Sequence, residues 1–236
     1  MLKGRWTREL AFALLVFLAY SAVNVASRGR RDVAIENAEA VIALERRAGI
    51  FIEPELQGMI LGTGLEYFLS AFYMFVHPLA TLAFLSALLL LDDPHYPKVR
   101  NVFVAFCLSC FLVFLLYPSA PPRMMEEYGF VDVLGERSPV NYETALVGEI
   151  LNPYASMPSV HFGLCLIVSG GLVIAVRRRA AVVAAASYAV LMLFTVICSG
   201  NHLILDCLVA TVMLAAVAFV LERAAAGGGL ARYLRR

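Results

Sequence analysis

Apolar residues gather in six long runs, and the charges collect in the gaps between them. The first run, Leu10 to Ala26, follows a short basic stretch with Lys3, Arg5 and Arg8. It predicts a retained spanning helix, since a cleaved signal peptide has a shorter apolar core and a small-residue cleavage site, which Ala26-Ser27-Arg28 matches poorly. The second run, Leu61 to Leu91, exceeds the ~20 residues a span needs. His77-Pro78 interrupts it, and an internal proline kinks a helix, so one long kinked span is expected. Val102–Tyr117, Val160–Val176, Ala180–Ile197 and a stretch from Asp206 to about Leu221 complete the set. The six spans are centred near Phe17, His77, Cys110, Ile167, Leu191 and Met213.

The gaps differ in kind. In Arg28–Gly49, Asp32, Glu36, Glu39, Arg46 and Arg47 recur at helical spacing, with Val33, Ala34, Ala38, Val41, Ile42 and Leu44 mostly opposite them. That pattern suits a helix lying in the membrane interface, and equally a solvated helix packed on the protein. Asp92–Arg100, with Pro94 and Pro97, reads as a polar turn. Pro118–Met157 is a long polar excursion carrying Arg123, Glu126, Glu127, Asp132, Glu136, Arg137, Glu143 and Glu149. Loops of that length in a compact fold are usually functional, although the acids also fit a solvated surface.

Composition makes the class explicit. The chain is 61% hydrophobic and 16% charged, with mean hydropathy +0.79, whereas soluble domains sit near about 50% apolar. The expected fold is an all-α integral membrane protein, a six-transmembrane-helix bundle with an interfacial amphipathic helix. It forms one membrane domain over residues 1–236, with a core of about 61–221, the amphipathic segment at 28–60 and a tail at 222–236. A net charge of +1 gives no sign of nucleic acid. The five cysteines all lie inside apolar runs, as small buried hydrophobes do. With six spans, twelve Lys and Arg fall on the side of the termini and seven on the other. The positive-inside rule then puts both termini in the cytoplasm of a multi-pass plasma-membrane protein. Every candidate residue below except His77 faces the extracytoplasmic side.

The candidate chemistry sits at the mouths of these runs. Ser159 and Pro158 stand where a helix begins, and a helix N-terminus aims free N–H groups at an anion. His161 follows in the same turn. His202 and Asp206 are four residues apart and share a helix face. A carboxylate on one imidazole nitrogen fixes the tautomer and frees the other nitrogen for attack. His161 suits protonation of a leaving alkoxide. Arg123 offers a planar cationic fork for phosphate oxygens, or an anchor for lipid headgroups. Asn201 and Tyr117 flank these residues as possible pocket lining. His77 is an intramembrane histidine, with a structural hydrogen bond and pocket lining both open. The set amounts to a phosphoryl-transfer site without metal or other cofactor.

Three segments, Tyr117-Pro-Ser-Ala-Pro-Pro-Arg123, Met157-Pro-Ser-Val-His161 and His202-Leu-Ile-Leu-Asp206, resemble the motifs of the type-2 phosphatidic acid phosphatase superfamily. They are closest to its inositolphosphotransferase branch, which includes fungal inositol phosphorylceramide synthase and is related to sphingomyelin synthases. The resemblance implies a phosphohistidine on His202, oriented by Asp206. It makes His161 the acid/base and has Arg123, with the backbone near Ser159, bind phosphate. The chain departs from the phosphatase pattern. Val160 replaces a Gly, Thr195-Val196 replace Ser-Arg, and no Lys precedes Arg123 at the family spacing. Fewer cations suit a singly charged phosphodiester, so a phospholipid donor and a lipid or alcohol acceptor are the expected partners. A lipid phosphate phosphatase, of phosphatidic acid or polyprenyl phosphate type, is the alternative, and a transporter or assembly subunit the non-enzymatic one. The sequence leaves the oligomeric state open. A CDP-alcohol phosphotransferase would need an aspartate cluster that the chain lacks, and Ser169-Gly170 is a poor nucleophile for an intramembrane serine protease.

Overall fold

The computed structural model describes residues 2–133, 135 and 152–226. The chain runs through α1 (Leu2–Ser27), α2 (Arg31–Ala48), α3 (Glu53–Gly58), α4 (Leu65–Ala71), α5 (His77–Leu90), α6 (Tyr96–Leu116), α7 (Val160–Val176), α8 (Arg179–Cys198) and α9 (Ile204–Ala226). Five helices are long and apolar enough to cross a membrane: Arg5–Ser27, Leu65–Leu90, Tyr96–Leu116, Arg179–Cys198 and Ile204–Ala226. The sequence predicts six. The remaining run, α7, is apolar but only 17 residues long. At 1.5 Å per residue it rises about 25 Å, just short of a ~30 Å hydrocarbon core.

α7 nonetheless has a central place, packed against α5, α6, α8 and α9. Glycine makes this possible: a Cβ on Gly163 would lie 2.0 Å from Cζ of Phe106 on α6. Only a residue without a side chain lets the two helices approach so closely.

The interruption at His77-Pro78 takes the form of a wide π-type turn, Phe72–Val76, which joins α4 to α5. The His77 N–H donates to Phe72 O, five residues back. Pro78 has no N–H to give the carbonyl of Met74, and the wider turn accommodates that missing bond.

α2 is amphipathic and packs on the protein. Ala34, Ala38, Val41 and Ile42 are buried with Ala120, Met125, Phe130 and Leu203. Val33 and Leu44, assigned by spacing to the apolar face, are exposed; they fall at the edges of the stripe. Arg46 lies 4.9 Å from the ring centroids of both Phe51 and Tyr128, pinning the end of α2. At the opposite end of the bundle Glu9 of α1 accepts from Arg100 Nη1 (2.6 Å) and from the Tyr96 hydroxyl (2.7 Å) on α6. Arg100, read in the sequence as part of a polar turn, is therefore a buried, paired residue of α6. Of the long polar excursion, Glu126 and Glu127 are exposed on a short 3₁₀ turn. Glu136, Arg137, Glu143 and Glu149, like the tail beyond Ala226, lie outside the described residues.

Candidate active site

Backbone hydrogen bonds bring three distant segments together. The Ser119 N–H donates to Tyr154 O (3.0 Å) and the Ser156 N–H to Ser119 O (3.2 Å), forming a short parallel bridge. The Ala120 N–H donates to Ala34 O (2.9 Å), so α2 joins the assembly, and the Arg123 N–H donates to Gly200 O (2.7 Å). The Ser159 N–H donates to Asp206 O (3.1 Å). The Arg123 loop, the start of α7 and the start of α9 are thus tied to one another by main chain.

The start of α7 is capped by Ser159, whose Oγ accepts from the Phe162 N–H at 3.3 Å. Such a cap is worth about 1 kcal/mol. Pro158 lies before the cap, two positions ahead of the first helical residue Val160. Both the N–H and the hydroxyl of Ser159 are therefore engaged within the protein, and its residue is fully buried. The turn between α8 and α9 depends on Gly200, which has φ +68° and sits where a Cβ would be 2.8 Å from Gln57 Nε2.

His202 and Asp206 are buried side by side. Nδ1 of His202 is 3.4 Å from Asp206 Oδ2, within ion-pair range but not a formed hydrogen bond. Catalytic hydrogen bonds are often long before substrate arrives. Asp206 Oδ2 also accepts from the Ser156 hydroxyl (2.7 Å) and the Leu203 N–H (3.0 Å). With Nδ1 turned to the carboxylate, Nε2 of His202 has no hydrogen-bond partner within the described protein.

The His161 ring centroid is 6.3 Å from that of His202. On its other side His161 stacks on Tyr73, 4.0 Å between centroids and 26° between planes. His77 stands 5.6 Å from His161, while its Nδ1 is 2.6 Å from the Tyr188 hydroxyl. His77 therefore makes a structural hydrogen bond and also lies against the candidate acid/base. The sequence set it apart from the other site residues by depth, but the site is sunk between the helices and reaches it.

Arg123 donates from Nη1 to Asn201 Oδ1 (2.9 Å), and its Nε is 3.6 Å from Asp132 Oδ1. Asn201 in turn donates to Ser199 Oγ (2.7 Å). The arginine is thus held beside the residue that precedes His202. The Tyr117 hydroxyl donates to Asn37 O (3.0 Å) and fastens α6 to α2.

Two carboxylates absent from the sequence reading converge on the first turn of α9. Glu53 Oε1 accepts from the Ile204 N–H (2.9 Å) and its Oε2 from the Ile52 N–H (2.9 Å). Glu45 Oε1 accepts from the Leu205 N–H (2.7 Å), and both glutamates are fully buried. Burial pushes the Glu45 carboxyl up to about 8, and the neighbouring carboxylates of Glu53 and Asp206 add to the rise. Tyr73 and Asp132 were missed too, since they come to the site from other segments, and so was Ser156, which stands just ahead of Ser159 but meets Asp206 only through the fold. Glu45 did leave a trace: it continues the apolar stripe of Ala34, Ala38, Val41 and Ile42, where a charge is out of place.

No curated protein and no solved structure matches the chain. Residues 39–221, well over half of its length, match the PAP2 superfamily. That stretch takes in the second half of α2, the Arg123 loop and both histidine-bearing turns, and the chain belongs to the PAP2 superfamily, which generally comprises phosphatases and phosphotransferases.

Proposed function

We propose that the protein is a membrane-embedded lipid phosphotransferase working through a phosphohistidine on His202. The supporting observation is the pair of imidazoles 6.3 Å apart, one backed by Asp206 and the other at the start of α7. A phosphorus atom flanked by both would be attacked from one side and relieved of its leaving group on the other. Nε2 of His202 forms the N–P bond as the P–O bond to the diacylglycerol breaks, and His161 gives its proton to the departing alkoxide. A lipid or alcohol hydroxyl, deprotonated by the same His161, then attacks phosphorus and breaks the N–P bond. The head-group phosphate passes to the acceptor and His202 is regenerated. Arg123 and the N–H groups at the start of α7, held open by the Ser159 cap, bind the phosphate oxygens.

The charge balance favours a phosphodiester donor over a phosphomonoester. Arg123 already faces Asp132 at 3.6 Å, and Asp206 adds a second negative charge. A dianionic phosphate gains less from such a site than a singly charged diester does. Plain lipid phosphate hydrolysis, with water as acceptor, is the second reading, because the same geometry accepts water in the second step. The deciding experiment is turnover of phosphatidic acid against phosphatidylinositol, without added metal, with and without an acceptor alcohol. Head-group transfer supports the proposal; rapid phosphate release from phosphatidic acid with no transfer to any acceptor overturns it.

The arrangement in the membrane follows from the same reading. α7 acts as the sixth span, both termini are cytoplasmic, the site faces the extracytoplasmic side of the plasma membrane, and α2 lies along the outer interface. Cysteines introduced at the exposed positions Glu126 and Arg178 should label from opposite sides of sealed vesicles. Labelling from the same side removes this topology.

A further inference from the structure

We infer that Glu45 and Glu53 are positioning residues for the nucleophile, acting as a two-carboxylate clamp through which α2 and α3 hold the His202–Asp206 turn. The inference rests on the reading of His202 as nucleophile.

A helix N-terminus leaves its first N–H groups without intrahelical partners. At the start of α9 the N–H groups of Leu203, just ahead of the helix, and of Ile204 and Leu205 go to Asp206, Glu53 and Glu45 in turn. The first acceptor belongs to α9; the other two come from segments about 150 residues earlier in the chain. Leu203 and Leu205 also pack into the apolar cluster of α2, so α2 grips this turn by side chain and main chain together. His202 immediately precedes the clamped residues. Its ring direction, and hence the line from Nε2 to phosphorus, follows from where that turn is fixed.

The two glutamates differ in what they can lose. Glu53 uses both oxygens as acceptors from N–H groups, and a glutamine offers only one oxygen. Glu45 uses Oε1 alone, and its Oε2, buried beside another carboxyl group, has no hydrogen-bond partner among the described residues. A protonated carboxyl, or an amide, fits the place of Glu45: one oxygen accepts from Leu205 and the other position carries hydrogen. The clamp therefore tolerates Glu45→Gln and not Glu53→Gln.

The test uses the purified full-length protein in detergent, with kcat and KM for the donor lipid and thermal unfolding for each variant. Glu45→Gln should keep kcat within twofold. Glu53→Gln and Glu45→Asp, which is a methylene short of Leu205, should lower kcat by about 10- to 100-fold, the scale of an ångström-sized misplacement, with KM within about twofold. A purely structural role would instead lower the unfolding temperature while the folded fraction turned over normally. The clamp is overturned if folded Glu53→Gln and Glu45→Asp turn over at the wild-type rate, or if Glu45→Gln is as damaged as Glu45→Asp. His202→Ala, run alongside, separates the two ideas. If it remains active the nucleophile reading fails; if it is inactive while the clamp variants are normal, only the clamp fails.

Discussion

Two helices of this protein begin within reach of one another and treat their N-termini in opposite ways. α7 opens with Ser159 as a neutral cap, and among the described residues no carboxylate accepts from its first turn. α9 opens into three carboxylates, Asp206, Glu53 and Glu45, each taking one of its N–H groups. Both ends carry the partial positive charge of a helix dipole, yet only α7 has it to offer an anion. At α9 the protein's own carboxylates take those N–H groups, and what they hold is the turn that follows His202. On the proposed reading, one helix start offers donors to the substrate, and the other is locked so that His202 meets the phosphorus at a fixed angle.

The comparison is broken most severely through the histidines. His202→Ala should reduce turnover by on the order of 10⁴-fold or more, as loss of a nucleophile does elsewhere, and His161→Ala should be similarly inactive, both proteins remaining folded by thermal unfolding. Asp206→Asn should lose less than His202→Ala, because the nucleophile survives. Arg123→Ala should cost about 10²- to 10³-fold in kcat, the scale of a lost transition-state donor. The same substitution should not move the unfolding temperature by more than a few degrees.

The clamped end makes its own prediction for stability against pH. The Glu45 carboxyl ionises near 4.5 in an unfolded chain and at about 8 in the folded one. Between those values the folded state holds a proton that the unfolded state has released, so stability falls as pH rises from about 4.5 towards 8. Thermal unfolding across this range should show that decline, and Glu45→Gln should flatten it. An unchanged slope in the variant would mean that Glu45 is ionised in the folded protein. The smallest effect is expected at His77. It lies against His161 and its Nδ1 is taken up by the Tyr188 hydroxyl, so His77→Gln should lower kcat about tenfold or less, with the loss confined to steps that need His161 as acid or base on the proposed reading.

What the sequence reveals of this site is its local part. The His202–Asp206 spacing and the Ser159 cap are legible because a helix fixes neighbours three and four residues apart whatever surrounds it. Tyr73, Ser156 and Asp132 are not legible, since nothing near them in the chain announces which ring, carboxylate or guanidinium they will meet. Glu45 was readable only as a misfit on an apolar stripe; its purpose appears once α9 is packed against α2. The spans were clear from their apolar runs, save that α7 falls short in length. A central helix lined by its neighbours has less lipid to face, and length is a poor guide there. The amphipathic pattern of α2 gave its helix and its buried side but not its partner.

The wide turn at Phe72–Val76 sets a limit on how this chain can change its length. It holds one residue more than an α-helical turn, and each residue advances a helix by about 100°. The extra residue is taken up within that one turn, so the helix on either side keeps its phase. A one-residue insertion or deletion in the regular turns of α4 or α5 would instead rotate what precedes it by about that angle. The phase of this helix, as much as its composition, is part of the site.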